Sequence, residues 1–174
     1  TDIGTLTITN AGGATFGGAV TASTVALTSA TGTIAFNDVL TANTLSTTSS
    51  AYNVAINASG SAITNAVTFS NTGTVSLGSS GGTQTYTGGI TATAPSSSTL
   101  KGTINTTNAA MTFGPLTLGA NTTLNSNAST NAGDITLGAV TGSSYSLTLS
   151  TGSSVSGADV TGTSFTGTGS LNLQ

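Results

Sequence analysis

A branched aliphatic residue followed at once by Thr returns along the whole chain, as Val20-Thr21, Leu40-Thr41, Val67-Thr68, Ile90-Thr91, Leu116-Thr117, Val140-Thr141 and Val160-Thr161. The six intervals are 20, 27, 23, 26, 24 and 20 residues, about 23 on average, within the spacing that marks solenoids and other stacked repeats. A unit of that size cannot bury its own apolar face and is stable only against its neighbours. The period therefore limits the fold more than any single motif does.

Around each copy the residues follow the pleat of a strand. Directly after the Thr stand Ala22, Ala42, Phe69, Ala92, Leu118, Gly142 and Gly162, and one place further on Ser23, Asn43, Ser70, Thr93, Gly119, Ser143 and Thr163. This alternation puts the aliphatic and the next-but-one residue inside and the Thr outside. Three or four residues upstream stand Phe16, Phe36, Ile63, Tyr86, Phe113 and Leu137, which are expected to stack on one another in the interior; the seventh copy has Ser156 there. A second motif, Gly-polar-aliphatic-x-apolar, opens at Gly4, Gly32, Gly73, Gly133 and Gly169, with a degraded copy at Gly102. The Gly supplies a permissive corner and a strand starts directly after it. Short period-two runs such as Leu6-Thr7-Ile8-Thr9, Val54-Ala55-Ile56 and Leu147-Thr148-Leu149 recur between Gly, Asn and Ser turns, while the helix formers Glu, Lys, Arg and Gln are almost wholly missing. The predicted fold is all-β: one parallel β-helix, or β-solenoid, over residues 1–174, with about seven rungs of roughly 23 residues. At about 4.8 Å per rung the rod would be roughly 35 Å long.

Composition removes most function classes. Of 174 residues only Asp2, Asp38, Lys101, Asp134 and Asp159 are charged, and there is no Glu, Arg, His, Cys or Trp. Arginine clamps, thiol nucleophiles and metal sites built on imidazole or thiolate are missing from the alphabet, so no catalytic, cofactor or metal site is expected and the chain reads as a non-enzyme. A net charge of −3 with a single basic residue excludes nucleic acid as a partner. No run approaches the roughly 20 apolar residues of a spanning helix, and no basic-then-apolar leader opens the sequence, so a secretion signal would lie outside this segment or have been removed. Disordered chains combine low hydropathy with high charge, whereas the mean hydropathy here is +0.25.

The aliphatic-Thr repeat and the Gly-led strands together resemble the repetitive passenger regions of bacterial surface adhesins of the filamentous-haemagglutinin and autotransporter type. The resemblance covers essentially the whole chain. It implies a right-handed parallel β-helix at an extracellular or cell-surface location. The chain departs from those proteins in lacking the Asn-Pro-Asn-Gly-type motifs of the two-partner secretion domain, and it also lacks the Gly-Gly-x-Gly-x-Asp calcium repeat.

Each candidate site competes with a plainer role. The spacing of Asp134 and Asp159 from Val140 and Val160 places the two carboxylates at different phases, hence on different faces, and Asp38 is several rungs away; surface or turn roles are expected for all of them rather than a catalytic pair. Lys101 reads as a solitary turn lysine, with a covalent link to Asn or Asp as the alternative. The Thr column at 21, 41, 68, 91, 117, 141 and 161 allows an ice-binding face as a third functional reading, against the plain preference of Thr for exposed strand positions. Sequons at Asn57, Asn105, Asn121 and Asn127 compete with Asn side chains that ladder between rungs and satisfy turn backbone. Phe16, Phe36, Tyr86 and Phe113 are read as interior stack. Excursions at 47–52, 79–83 and 94–101 are the places where a carbohydrate or host-surface ligand would bind.

No cap is legible at either end, because strand chemistry begins at Gly4–Ile8 and returns in Leu171-Asn172-Leu173. Pro95, Pro115 and Lys101, the usual guards of an open β-edge, are all internal. The leading expectation is a structural, extracellular fibre or surface-layer protein that self-associates by stacking or lateral packing of rods. The alternative is a segment of a longer adhesin stalk.

Overall fold

A computed structural model describes residues 2–130, 132–152 and 157–174, and all of their regular structure is β. The first three coils are β1 (Ile3–Ala11) with β2 (Ala14–Phe16), β3 (Val20–Ala30) with β4 (Thr33–Phe36), and β5 (Leu40–Thr47) with β6 (Asn53–Ile56). The fourth uses three short strands, β7 (Ala62–Ile63), β8 (Val67–Thr68) and β9 (Thr74–Leu77). The fifth and sixth share β12 (Ser97–Asn105), which follows β10 (Thr83–Tyr86) and β11 (Ile90–Ala92) and precedes β13 (Met111–Phe113) and β14 (Leu116–Asn125). β15 (Ile135–Thr141), β16 (Leu147–Ser150) and β17 (Val160–Thr166) finish the seventh and eighth coils, and β18 (Leu171–Leu173) lays one strand on top. Every pairing is parallel and joins one coil to the next. The chain is a parallel β-solenoid.

Each coil has three faces. On the first, residues 20–22 lie under 40–42, and the stack continues through β7, β10, the second halves of β12 and β14, β16 and β18. The second face carries the column Val67, Ile90, Met111, Ile135 and Val160. The third carries Ala14, Ile34, Val54, Val75, Ser98, Leu116, Val140 and Phe165, one residue from each of eight coils. The seven steps of that column average about 21.6 residues.

These registers correct the predicted repeat. The seven aliphatic-Thr copies do not form one column: Val20 stacks on Leu40, but Leu40 stands at the register of Ser61, not Val67. Val67 stacks with Ile90, whose next partner is Met111 rather than Leu116. Leu116 meets Val140, which meets Phe165, while Val160 belongs with Ile135. The motif has moved from face to face, which lengthened the apparent period to 23 and reduced eight coils to seven. The stack upstream divides in the same way. Phe16 and Phe36 are parallel rings 4.9 Å apart, Ile63 pairs with Tyr86 and Phe113 with Leu137, on three different faces. Ser156 lies outside the described residues.

Alternation itself is as predicted. The aliphatic is buried and its Thr lies outside at all copies but the last, where Val160 sits on the open end coil. The interior is one continuous cluster running from Ile8 to Leu149. At about 1.5–3 kcal/mol for each large aliphatic fully buried, this column-on-column packing is the main source of stability. Asn side chains tie the corners: Asn57 Nδ2 donates to Asn37 Oδ1 at 2.8 Å, and Asn53 Oδ1 accepts from the backbone N–H of Thr74 at 2.8 Å. Asn108 Oδ1 similarly takes the N–H groups of Ser129 and Thr130, each at 2.8 Å, one coil above.

Candidate functional site

Outward positions alternate with the core, so stacking turns single Thr residues into ladders. Thr68, Thr91, Thr112, Thr136 and Thr161 form one ladder on the second face, and Thr99, Thr117, Thr141 and Thr166 another on the third. Thr21 and Thr41 begin a third ladder that stops at Ala62. The predicted Thr column is thus divided among three faces. Its longest part is one residue wide, because the flanking outward positions include Gly89, Gly114, Gly138 and Asp134.

A wider strip lies on the first face. Thr83, Thr103, Thr123 and Thr148 stack in one column, and Thr85, Asn105, Asn125 and Ser150 in a second. Two pleat positions along a strand separate these columns, about 7 Å, with about 4.8 Å between rungs. The sequence carries this strip as Thr-x-Thr/Asn/Ser at 83, 103, 123 and 148, but only the last copy is led by an aliphatic, Leu147, so the aliphatic-Thr repeat does not reveal it.

Beside the first column the corner sinks into a groove of about 530 Å³. Gly81, Gly102 and Ala120 floor it with almost no side chain. Gly102 sits at φ +69°, where a Cβ would collide with the carbonyl oxygens of Ser79 and Gly82, so the floor is fixed by backbone geometry. Buried Thr122 holds the adjoining turn by donating to Ala120 O at 3.0 Å and Leu100 O at 3.2 Å. At the rim stand Asn121, whose Oδ1 accepts from the Ser146 N–H at 3.0 Å, and Tyr145, which is 40% exposed. Tyr145 lies outside every repeat visible in the sequence. Its signal was a setting of Ser, with no apolar residue at the alternate position before it.

The carboxylates correct another expectation. Ile135 pairs with Val160, so Asp134 and Asp159 lie one above the other on the same corner, and Asp134 Oδ1 accepts the Asp159 N–H at 2.9 Å. Val140 and Val160 belong to different faces, so distances along the chain from them do not measure a common phase. Asp38 Oδ1 accepts the N–H of its own neighbour Val39 at 2.7 Å, and Asp2 receives the hydroxyl of Ser23 at 3.0 Å. No group of three or more metal-ligating side chains occurs among the described residues.

Lys101 is in β12 at its register shift rather than in a turn, with its stem packed over Gly119. Residues 97–101 belong to the same strand, so the predicted excursion at 94–101 shrinks to its first three residues. The excursion at 47–52 is folded inward by Tyr52, whose hydroxyl donates to Leu27 O at 2.9 Å and accepts the Thr48 N–H at 3.1 Å. Only the turn at 79–83 reaches the groove, through Ser80 and Gly81. Of the sequons, Asn57 and Asn127 commit their amide nitrogens to neighbouring coils, Asn127 donating to Thr106 O at 3.0 Å. Phe36, Tyr86 and Phe113 are buried and Phe16 partly so, as interior residues.

The two ends form a last surface. Ile3 on the first coil and Val160, Leu171 and Leu173 on the last are exposed, although each stands at the register of an interior column. No helix among the described residues is long and apolar enough to cross a membrane. No family model, curated protein or solved structure matches the chain, so its architecture and surfaces are the ground on which function is argued.

Proposed function

We propose that the chain is a non-enzymatic structural rod of an extracellular fibre or surface layer, lengthened by stacking its end coils onto further β-solenoid. The observation that carries this reading is the stack itself: the apolar columns run coil on coil from Ile8 to Leu149, on a chain with only five charged side chains. Leu171 and Leu173, 41% and 65% exposed, continue the column of Leu147 and Leu149 by one further coil. A parallel strand edge without Lys or Pro is a template for another strand, as each coil here is for the next. The first coil offers the complementary edge, with Ile3 in register beneath Ala22. The flanks add little repulsion, since the five charges are spread over 174 residues.

Sedimentation velocity over a rising concentration series, with negative-stain microscopy of the same samples, tests the reading. Rods that lengthen in steps of about 38 Å, eight coils of about 4.8 Å, are the expected result. A single monomeric species at every concentration overturns assembly by the chain itself. A second reading, the stalk of a surface adhesin, is favoured by the polar groove of the first face.

A further inference from the structure

We infer that the groove between Gly102 and Tyr145, with the Thr ladder beside it, is a binding site for a neutral oligosaccharide. No acidic or basic side chain lines it, so a charged ligand would be desolvated there without a counter-charge. What the walls do offer is hydroxyls and amides, groups that both donate and accept, which is the chemistry of a sugar's own hydroxyls. Thr103, Thr123 and Thr148 repeat that offer at each rung, so a chain lying along the rod meets the same partner at intervals of about 4.8 Å.

Tyr145 supplies the apolar half of the recognition. Its ring is exposed at the rim while its backbone is held at both sides, the N–H donating to Gly142 O at 2.8 Å and the carbonyl accepting from Gly169 N–H at 2.8 Å. A fixed, exposed aromatic face beside polar walls fits the C–H face of a pyranose, with the phenol left free for hydrogen bonding. At Gly81, with φ +70°, the place of a Cβ is open space, and this leaves room for a ring to sit down against the backbone. A volume of about 530 Å³ is within the roughly 300–1,000 Å³ typical of small-molecule sites. The concavity and the projecting ring argue against ice, which requires a flat face. Each hydroxyl contact replaces one to water, so affinity is set at about the millimolar level.

The chain contains no Trp, and Tyr52 and Tyr86 are buried, so perturbation of exposed tyrosine emission reports Tyr145. Cellotriose, mannotriose, maltotriose and chitotriose are titrated against the whole chain, with trigalacturonate as the acidic control, and binding is read by tyrosine fluorescence and saturation-transfer NMR. Saturable binding of at least one neutral trisaccharide is expected, weakened about tenfold by Tyr145→Ala and changed less than about twofold by Tyr145→Phe, tenfold being 1.4 kcal/mol. Thr123→Val, at an outward position, should weaken binding without lowering the melting temperature. The inference is overturned if no neutral probe binds, if trigalacturonate binds more tightly than all of them, or if Tyr145→Ala and Thr123→Val both bind as the parent does. None of these outcomes bears on end-to-end assembly, which is measured without sugar.

Discussion

At the scale of single residues, some of the stacked corners tolerate no side chain at all. Gly32 has an ordinary backbone conformation, yet a Cβ there would collide with the carbonyl of Gly12 in the coil below. Close approach of backbones, rather than freedom of φ, is what demands glycine. Gly32→Ala should therefore destabilise by about 1–3 kcal/mol, the usual cost of overpacking, whereas Gly4→Ala, with nothing within 4 Å, should shift the midpoint of urea unfolding very little. Ser98 presents the opposite case. It is buried between Val75 and Leu116 in an otherwise apolar column, and its hydroxyl has no partner among the described residues. Replacing it with Val removes an unsatisfied group worth about 1–3 kcal/mol, and a raised melting temperature is the expected outcome. Tyr86 gives the chain its pH dependence. Burial pushes its phenol above the ordinary value, and the hydroxyl donates to Gln84 Oε1 at 3.0 Å. The neutral form is thus favoured in the folded chain. Once the pH rises past about 10, the unfolded chain loses this proton first and stability falls. Melting curves in alkaline buffers should show that fall in the parent and a flatter profile in Tyr86→Phe.

At the scale of elements, the three faces are chemically alike, and this decides what could be read in advance. Period-two burial and the corners at Gly32 and Gly73 were legible because they follow from residues adjacent in sequence, and the stack because the units recur; Gly4 and Gly102, by contrast, lie within β1 and β12. The phase of the repeat was not. Val20, Val67 and Leu116 look the same in sequence, yet they stand on three different faces, and nothing local distinguishes one face from another. Ser61 and Gln84 concealed the true column further, since polar residues fill the inner positions that continue Val20 and Leu40. Gln84 is satisfied there by donating to Ile56 O at 2.8 Å and Ala58 O at 2.9 Å, a solution that only the folded coil provides. The groove was hidden for a related reason: its parts come from residues 80–81, 102–103, 120–123 and 145–148, which only the coil registers bring together. Deletions distinguish coil from face. Removing residues 41–61 takes out 21 residues and sets Ala62 in the place of Thr41, its own register partner, so the shortened chain should keep its β circular dichroism at somewhat lower stability. Removing only 41–47 moves each following strand to the wrong face and should abolish the cooperative unfolding transition.

At the scale of the whole molecule, scarcity of charge acquires a consequence that no single residue shows. A rod with five charged side chains has little electrostatic defence along its flanks, and under the proposed assembly the contact is between apolar strand edges such as that of Leu171 and Leu173. Charge placed at one end should then act out of proportion to its effect on folding. Leu171 and Leu173 are already exposed, so Leu171→Lys with Leu173→Lys should leave the melting temperature nearly unchanged, as surface substitutions do, within about 0.5 kcal/mol each. In a stacked dimer, however, both ammonium groups would be enclosed at interior columns, while Asp2, the carboxylate of the opposing coil, is on the outer side and held by Ser23, and a buried, unpaired charge costs several kcal/mol. Sedimentation velocity should show association of the double variant weakened more than about tenfold, since every 1.4 kcal/mol is a factor of ten. Added salt should restore little of it, because the penalty is desolvation rather than long-range repulsion. If the variant associates as strongly as the parent, the contact lies on the hydroxyl-bearing flanks, and lateral packing replaces end stacking as the mode of assembly.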